Sequence, residues 1–236
     1  MVIFKHRTLK FKLQGVSEMK HREVHGFDKG SELILNLVDV LLNQMKETST
    51  VTLAIAGGSC SGKSLLAHRL MTDLELVKIW SSIVSLDNYY KNRDHHDFPF
   101  NEANQAIFDL PQSYWFGEFC SDISNLISGS NIDGPIYDKK THRRLVGQRL
   151  KIEANPVIIA EGLFAIQALV DLEYVIKIFV EANLDTRVTR RVKRDTGVLH
   201  DTEDDTIRFI VEQVQPYYEE FVAPQKAKSE IVIVND

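Results

Sequence analysis

The feature that most constrains the fold of this chain is a glycine-rich octapeptide that directly follows a short apolar run. The run occupies residues 51–56, and a segment with helical apolar periodicity follows at residues 62–77. The octapeptide between them fits the pattern G-x-x-x-x-G-K-[ST] in full: Gly57-Gly58-Ser59-Cys60-Ser61-Gly62-Lys63-Ser64. A buried strand that turns through glycines into a helix is a setting suited to phosphate, so we expect a phosphate-binding loop (P-loop) here.

Each residue type in the octapeptide suits that chemistry. Glycines let the backbone curl so that successive N–H groups, and the positive end of the following helix, point at phosphate oxygens. We expect the Lys63 ammonium to reach the β- and γ-phosphates, and the Ser64 hydroxyl to ligate Mg²⁺. The octapeptide therefore predicts binding of a nucleoside triphosphate, ATP or GTP, together with Mg²⁺.

Further short apolar runs, rich in valine and isoleucine, recur at residues 79–86, 156–160, 174–180 and 231–234. They are almost continuously apolar, which is typical of strands buried on both faces. Strands that alternate with helical segments imply a parallel sheet with helices on either side. The sequence therefore predicts an α/β fold of the P-loop NTPase type, with three α/β/α layers around a mostly parallel central sheet.

Charge and composition exclude several classes of function. The chain has 28 Lys+Arg and 33 Asp+Glu, a net charge of −5, which gives no global reason to expect a nucleic-acid or anionic-membrane partner. Its two cysteines are too few for a disulfide framework and favour a cytoplasmic location. No apolar run approaches the length that spans a bilayer. We expect a small-molecule substrate, no nucleic acid and no membrane, and the sequence leaves open a homo-oligomer.

The first 50 residues differ from the rest and are predicted to form an N-terminal extension. Residues 3–13 alternate loosely as in a strand, and residues 31–46 place their apolar side chains on one helix face. Ser31 suits the N-cap of that helix. We therefore divide the chain into residues 1–50, a strand and a helix that pack on the core, and residues 51–236, the P-loop domain.

Two acidic residues stand where predicted strands end. Asp87 follows the run at residues 79–86, and Glu161 follows the run at residues 156–160. The carboxyl ends of parallel strands face the ligand side of an open α/β sheet, so both acids are expected beside the P-loop. Asp87 could accept the proton of an attacking hydroxyl or hold the magnesium shell, and Glu161 is expected to meet the metal with Ser64.

Seven segments between residues 51 and 234 follow one another in order: GGSCSGKS, SLDNYY, IFDLP, PIYDKKTHRR, VIIAEGLFAI, KIFVEANLDTRVTRRVKRD and FVAPQKAKSEIVIV. In that order they resemble the uridine kinase/phosphoribulokinase family, and uridine–cytidine kinases in particular. The resemblance implies ATP-dependent transfer of the γ-phosphoryl group to a hydroxyl, with the 5′-hydroxyl of a pyrimidine nucleoside as the leading acceptor. It also implies a helical lid.

The resemblance implies roles for four residues on the acceptor side. Asp87 would be the base that takes the proton from the acceptor's primary hydroxyl. Asp109 would hold the ribose hydroxyls, and Tyr137 and His142 would contact the nucleobase.

The predicted lid helix is rich in arginine. At about 100° per residue, its apolar residues form one stripe, made of Leu184, Val188 and Val192. Arg191 projects beside this stripe and Arg190 roughly opposite to it. The resemblance implies that Arg191 and Arg194 reach the phosphates, whose oxygens match guanidinium forks. We therefore expect these two arginines to be functional and Arg190 to lie on the surface.

Three positions depart from the family pattern. Leu110 replaces a histidine, Gly197 lies where an Arg-Gly-Arg element is common, and Phe209 replaces a glutamine that helps recognise the base. A pocket that loses hydrogen-bond donors loses discrimination. Two alternatives therefore stay open. One is a family relative that phosphorylates another alcohol, such as a sugar phosphate, a vitamin or another nucleoside; the other is a catalytically silent nucleotide-binding regulatory protein.

Overall fold

The computed structural model describes residues 22–25, 48–196 and 202–236. The strand expected at residues 3–13 and the helix expected at residues 31–46, with its N-cap Ser31, lie outside the described residues. Gly197 does so too.

Among the described residues, the central sheet has six parallel strands. Their bounds are β1 Arg22–His25, β2 Val51–Gly57, β3 Ser81–Ser85, β8 Val157–Glu161, β9 Val175–Glu181 and β10 Ile231–Val234. They lie side by side in the order β1-β10-β9-β2-β8-β3. All residues of β2 and β8 are buried, which explains their apolar sequences without alternation. The predicted parallel sheet is confirmed.

Helices cover both faces of this sheet. In the described ranges they are α1 Lys63–Leu76, α2 Phe116–Ile127, α3 Ala165–Ala168, α4 Leu184–Asp195, α5 Glu203–Phe209 and α6 Gln215–Tyr217. Leu70 and Leu74 of α1 join the buried cluster on one face, and Phe119 and Ile123 of α2 join the cluster on the other. The predicted three-layer α/β/α arrangement is confirmed, and α4 is the helix that the sequence predicts as a lid.

Short helical turns connect and extend these elements. Three are 3₁₀ turns, at Leu86–Tyr89, Pro111–Ser113 and Ala223–Lys228, and two are π-helical stretches, at Ile210–Val214 and Tyr218–Val222. The π-helical stretches flank α6, so the chain stays helical from the start of α5 to the end of the last 3₁₀ turn.

Two glycines let the ends of neighbouring strands come close together at the carboxyl edge of the sheet. Gly57, at the end of β2, has φ +148°, and a Cβ there would lie 2.2 Å from the carbonyl oxygen of Val180. Gly162, directly after β8, has φ +154°, and a Cβ there would lie 2.5 Å from the Cβ of Leu86. Only glycine fits at either position. The residues that follow β2, β3 and β8 therefore lie close together at the carboxyl edge of the sheet.

A small hairpin lies beside this edge. β5 (Tyr137–Asp138) pairs with β6 (Arg143–Arg144), and the flanking strands β4 (Ile132–Gly134) and β7 (Leu150–Ile152) pair around it, both antiparallel. The Asp138 carboxylate fixes the tip by accepting hydrogen bonds from the Lys140 amide at 3.0 Å and the Thr141 hydroxyl at 2.6 Å. The Tyr137 amide donates to Asn88 Oδ1 at 3.2 Å, which ties the hairpin to the turn after β3.

One strand of the central sheet lies where the sequence indicated none. β1 falls in a polar stretch with no apolar run, yet its backbone pairs with β10 along its whole length. Its place is set by the main-chain groups of β10, which a side-chain pattern does not reveal. No helix in the described part of the chain is both long and apolar enough to cross a membrane.

Candidate active site

The octapeptide forms the loop between β2 and α1, where the sequence places it. Gly62 adopts a left-handed conformation, with φ +105°, immediately before the first residue of α1. Lys63 is buried, and its Nζ donates to the carbonyl oxygen of Gly58 at 3.0 Å. Burial lowers the pKa of Lys63, against the opposing effect of the Glu161 and Asp87 charges. The lysine therefore lies folded against its own loop, with two carboxylates nearby.

A stacked pair that the sequence reading missed forms a wall beside Gly58. The Arg187 guanidinium lies 3.9 Å from the centre of the Tyr218 ring. Side-chain atoms of both residues lie within about 3 Å of where a Gly58 Cβ would be. Arg187 is buried and also donates to the Ala182 carbonyl and to Gln215 Oε1. Any side chain at position 58 would collide with this wall.

Three oxygen-bearing side chains meet at the ends of β3 and β8. The buried Glu161 carboxylate accepts a hydrogen bond from Ser64 Oγ at 2.9 Å and another from Ser85 Oγ at 2.5 Å. Carboxylate and hydroxyl oxygens are hard ligands of the kind Mg²⁺ prefers, so this donor set fits the metal. Ser64 and Glu161 lie together as expected, whereas Ser85 was not anticipated.

Asp87 forms an ion pair at the same edge. Lys139 Nζ, from the tip of the β5–β6 hairpin, lies 2.6 Å from Asp87 Oδ2. Burial alone would raise the pKa of Asp87, but Lys139, together with Lys63 and Arg194, holds it below its usual value. A cavity of about 310 Å³ opens here, and its polar lining includes Ser64, His68, Ser85, Asp87, Lys139 and Glu161. The acid expected to act as base thus shares a cavity with the metal-ligand set.

The residues expected to bind the acceptor include two buried polar groups without hydrogen-bond partners. Asp109 is 8% exposed, and no described residue donates a hydrogen bond to its carboxylate. Burial raises the pKa of Asp109, against the opposing charges of Arg191 and Lys63. The Tyr137 hydroxyl is also buried, with no partner among the described residues. A buried hydroxyl is normally satisfied, so Tyr137 calls for a ligand atom, and the Asp109 carboxylate can accept hydrogen bonds from one.

A cluster of aromatic side chains surrounds Tyr137. The Tyr90 ring stacks on Tyr114 at 4.0 Å and lies 5.2 Å from Tyr137, measured between ring centres. The His142 ring lies 4.8 Å from Phe108. Burial and the neighbouring Arg93 lower the pKa of His142, which favours the neutral imidazole. Tyr137 and His142 therefore belong to one cluster of aromatic side chains.

A pair of tyrosine hydroxyls in this cluster lies near Asp87. The Tyr114 hydroxyl donates a hydrogen bond to the Tyr90 hydroxyl. Burial, with the charges of Asp87 and Asp109 nearby, raises the pKa of both hydroxyls well above its ordinary value, so both stay protonated. Neither hydroxyl was identified from the sequence, because their contact joins residues 24 positions apart.

On α4, the two arginines expected to be functional share one acid. Asp195 is 2% exposed; it accepts from Arg191 Nε at 3.0 Å and from Arg194 Nε and Nη2 at 2.6 and 3.1 Å. Burial alone would raise the pKa of Asp195, but Arg194 and Arg191 hold it below its usual value. Both guanidinium groups are therefore held in a fixed orientation by their hydrogen bonds to one buried carboxylate.

Two expectations for α4 were wrong. Arg190, expected on the surface, donates to the Asn235 carbonyl at 2.9 Å and to the Cys60 carbonyl of the P-loop at 3.5 Å. The apolar stripe is only half-buried, and the fully buried residues of this helix are Arg187 and Asp195. The physical reason is that α4 packs beside the polar P-loop and the chain end after β10, so its charged residues find partners there.

Comparisons with known proteins give a consistent picture. A family model described as the phosphoribulokinase/uridine kinase family matches residues 52–235. The uridine kinase of Macrococcus caseolyticus is 31% identical over 188 residues, which cover 79% of this chain and 88% of that protein.

Solved structures share the fold at low sequence identity. The YGR205w protein matches with a TM-score of 0.69 at 14% identity, over 89% of this chain and 94% of that one. A structure described as a possible uridine kinase from Bacillus stearothermophilus matches with a TM-score of 0.54 at 17% identity, over 84% of this chain and 99% of that one.

Proposed function

The chain belongs to the phosphoribulokinase/uridine kinase family, and from that premise we propose that it transfers the γ-phosphoryl group of ATP to the 5′-hydroxyl of a pyrimidine nucleoside. It is an ATP-dependent phosphotransferase with an alcohol as acceptor. Uridine and cytidine are the proposed acceptors, and the proposed location is the cytoplasm.

The observation that carries the proposal is the position of Asp87. On one side its carboxylate shares a cavity with Ser64 and Glu161. On the other side it lies close enough to the Tyr90 and Tyr114 hydroxyls to affect their pKa values. An acid between a P-loop and a cluster of aromatic side chains is where a phosphate donor and a hydroxyl acceptor would meet.

Phosphoryl transfer needs little covalent chemistry from the protein, so positioning and charge account for most of the rate. Lys63 and the loop amides would bind the triphosphate, and Ser64 and Glu161 would hold Mg²⁺, whose charge offsets that of the phosphates. As the acceptor oxygen bonds to the γ-phosphorus, the bond from that phosphorus to the β–γ bridging oxygen breaks and ADP leaves. Asp87 takes the acceptor's proton.

The unpartnered Asp109 and Tyr137 side chains support a nucleoside as acceptor. The Asp109 carboxylate can accept hydrogen bonds from ribose hydroxyls. The Tyr137 hydroxyl, beside the neutral His142 ring, can hydrogen-bond a base edge while the flat faces of Tyr90 and Phe108 pack against it. A ligand that satisfied both buried groups would bind with discrimination against analogues that lack one of them.

The proposed roles of Arg191 and Arg194 agree with their hydrogen bonds. Asp195 engages the Nε atom of each, which leaves terminal nitrogens available for phosphate oxygens. Arg191 Nη1 in particular is buried without a partner. Guanidinium groups pre-oriented in this way can stabilise the transferring phosphoryl group without reorganising.

One observation favours a second acceptor class. The Phe209 ring lies 5.4 Å from the Arg191 guanidinium, so a ring occupies the position where the family pattern has an amide. An acceptor without a pyrimidine, such as a sugar phosphate or a vitamin alcohol, would not need that amide.

A panel of acceptors tests the proposal. ADP release and phosphorylated product are measured with uridine, cytidine, other nucleosides, sugar phosphates and vitamins, with Asp87→Asn as the matched inactive control. Turnover with uridine or cytidine supports the proposed acceptor, and turnover only with another alcohol supports the second class. ATP binding without transfer to any acceptor would contradict the proposed function.

A further inference from the structure

Lys139 forms an ion pair with Asp87, the proposed base, but has no role in the proposed transfer step. Its Nζ lies 2.6 Å from Asp87 Oδ2, and the two side chains are 67% and 34% exposed. Ion pairs this exposed contribute little to the free energy of unfolding. The contact therefore adds little to stability, and its significance is its position at the proposed base.

The hairpin is built to bring Lys139 to this position. Residues on both sides of Lys139 are fixed, because Asp138 caps the tip and the Tyr137 amide is bonded to Asn88. Asn88 directly follows Asp87 along the chain, so lysine and acid are attached to the same small framework. The neighbouring Lys140 is exposed and makes no ion pair with any described residue.

We propose that Lys139 is a positioning residue for Asp87: it binds Oδ2 and so leaves Oδ1 facing the acceptor hydroxyl. This inference rests on the proposed role of Asp87 as the base. In the transfer step the hydroxyl proton passes to Oδ1, the acceptor oxygen bonds to the γ-phosphorus, and ADP departs with the bridging oxygen. Lys139 keeps its own protons throughout.

A base oriented by a third group is a general arrangement in catalysis. A carboxylate that rotates freely offers either oxygen in many orientations, whereas a charged hydrogen bond to one oxygen fixes the plane of the group. Lys63 does not supply that contact, since its Nζ is bonded to the Gly58 carbonyl inside the P-loop. Lys139 is the cation bonded to Asp87 among the described residues.

Three single variants test the role of Lys139. We expect Lys139→Met to lower kcat about tenfold, a part of the full effect of a positioned base, with the KM for ATP within about twofold of wild type. Lys139→Arg should recover most of the lost kcat, because it restores a charged donor. Lys140→Met, the matched control on the same hairpin tip, should behave as wild type. Equal unfolding midpoints for all three would show that folding is unaffected.

A double-mutant cycle separates orientation of the base from any other effect. In an Asp87→Asn background, adding Lys139→Met should change kcat little, because the oriented group is already lost. The inference is overturned if Lys139→Met matches wild type, if it raises kcat as the release of an inhibitory contact would, or if its effect persists beside Asp87→Asn. Undiminished activity of Asp87→Asn alone, or no transfer to any alcohol by wild type, would instead overturn the proposed function and the role of Lys139 with it.

Discussion

Asp87 and Asp109 lie close enough to influence each other, yet their surroundings move their pKa values in opposite directions. Lys139 holds the pKa of Asp87 below its ordinary value, although burial alone would raise it. Burial raises the pKa of Asp109, against the opposing charges of Arg191 and Lys63. Two acids in one site are therefore expected to titrate separately.

This difference predicts two distinct effects of acidification on activity. As pH falls towards the ordinary aspartate pKa of about 3.9, Asp109 should take up a proton first, so the acceptor KM rises while kcat is still maintained. Asp87 should become protonated only at lower pH, and kcat should then fall. Steady-state kinetics across the acidic range measures both. Asp109→Asn should remove the early rise in KM, and a simultaneous change in KM and kcat would contradict the assignment.

The sequence predicted the site residues that belong to the P-loop motif or that follow the end of a strand. Lys63, Ser64, Asp87 and Glu161 meet as expected, because a motif and the strand ends fix their places. Lys139 was missed as a partner of Asp87, because 52 positions separate the two residues and only the folded hairpin brings them together.

The stability of helix α4 depends on a buried acid. Asp195 is 2% exposed and bonded to both Arg191 and Arg194. Because these partners hold the folded-state pKa of Asp195 below its usual value, the acid stabilises the fold above the unfolded pKa of about 3.9. That contribution is lost as pH falls through the lower folded-state value.

Asp195→Asn should therefore lower the free energy of unfolding by about 2 kcal/mol at neutral pH, since it removes charge-assisted hydrogen bonds in a buried setting. Urea unfolding followed by circular dichroism measures this change. The difference from wild type should shrink as pH is lowered below about 4. Asp133→Asn, at an exposed position of β4, is the matched control and should be nearly neutral. A loss that did not depend on pH would argue against the ionised form as the stabilising one.

The bounds of several elements were predictable, but the buried face of α4 was not. The helix expected at residues 62–77 is found at Lys63–Leu76, because its apolar side chains face a sheet. In α4 the apolar stripe predicts the wrong buried residues. The helix packs against the P-loop and the chain end after β10, and the periodicity of apolar residues does not reveal those polar partners.

The N-terminal extension supplies one strand, β1, to the central sheet of the molecule. β1 pairs with β10 from Arg22–Ile231 to His25–Val234. On the face that α1 covers over β2, β3 and β8, Ile231 and Ile233 of β10 are also buried. We propose that residues 31–46, with their apolar helical pattern, pack over that part of the sheet, and that residues 1–50 and 51–236 form one cooperative unit.

Two truncations test this proposal. Deleting residues 1–46 should lower the unfolding midpoint and promote aggregation, because it exposes the β10 edge and its apolar face. Deleting only residues 1–21 keeps β1 and the helical segment and should leave the midpoint nearly unchanged. Thermal unfolding and light scattering measure both. A chain that lacks residues 1–46 and is as stable as the full chain would show that the extension is dispensable.

The strand order also has a consequence for synthesis on the ribosome. β10 lies between β1 and β9, so the strand translated after all the others described is inserted between two earlier ones. Until residue 234 has emerged, β9 has one open edge and β1 has no neighbour among the described strands. The nascent chain then exposes hydrogen-bonding groups that chaperones or other nascent chains could engage. Pausing of translation before β10 should therefore prolong the interval in which this protein is most exposed to misassembly.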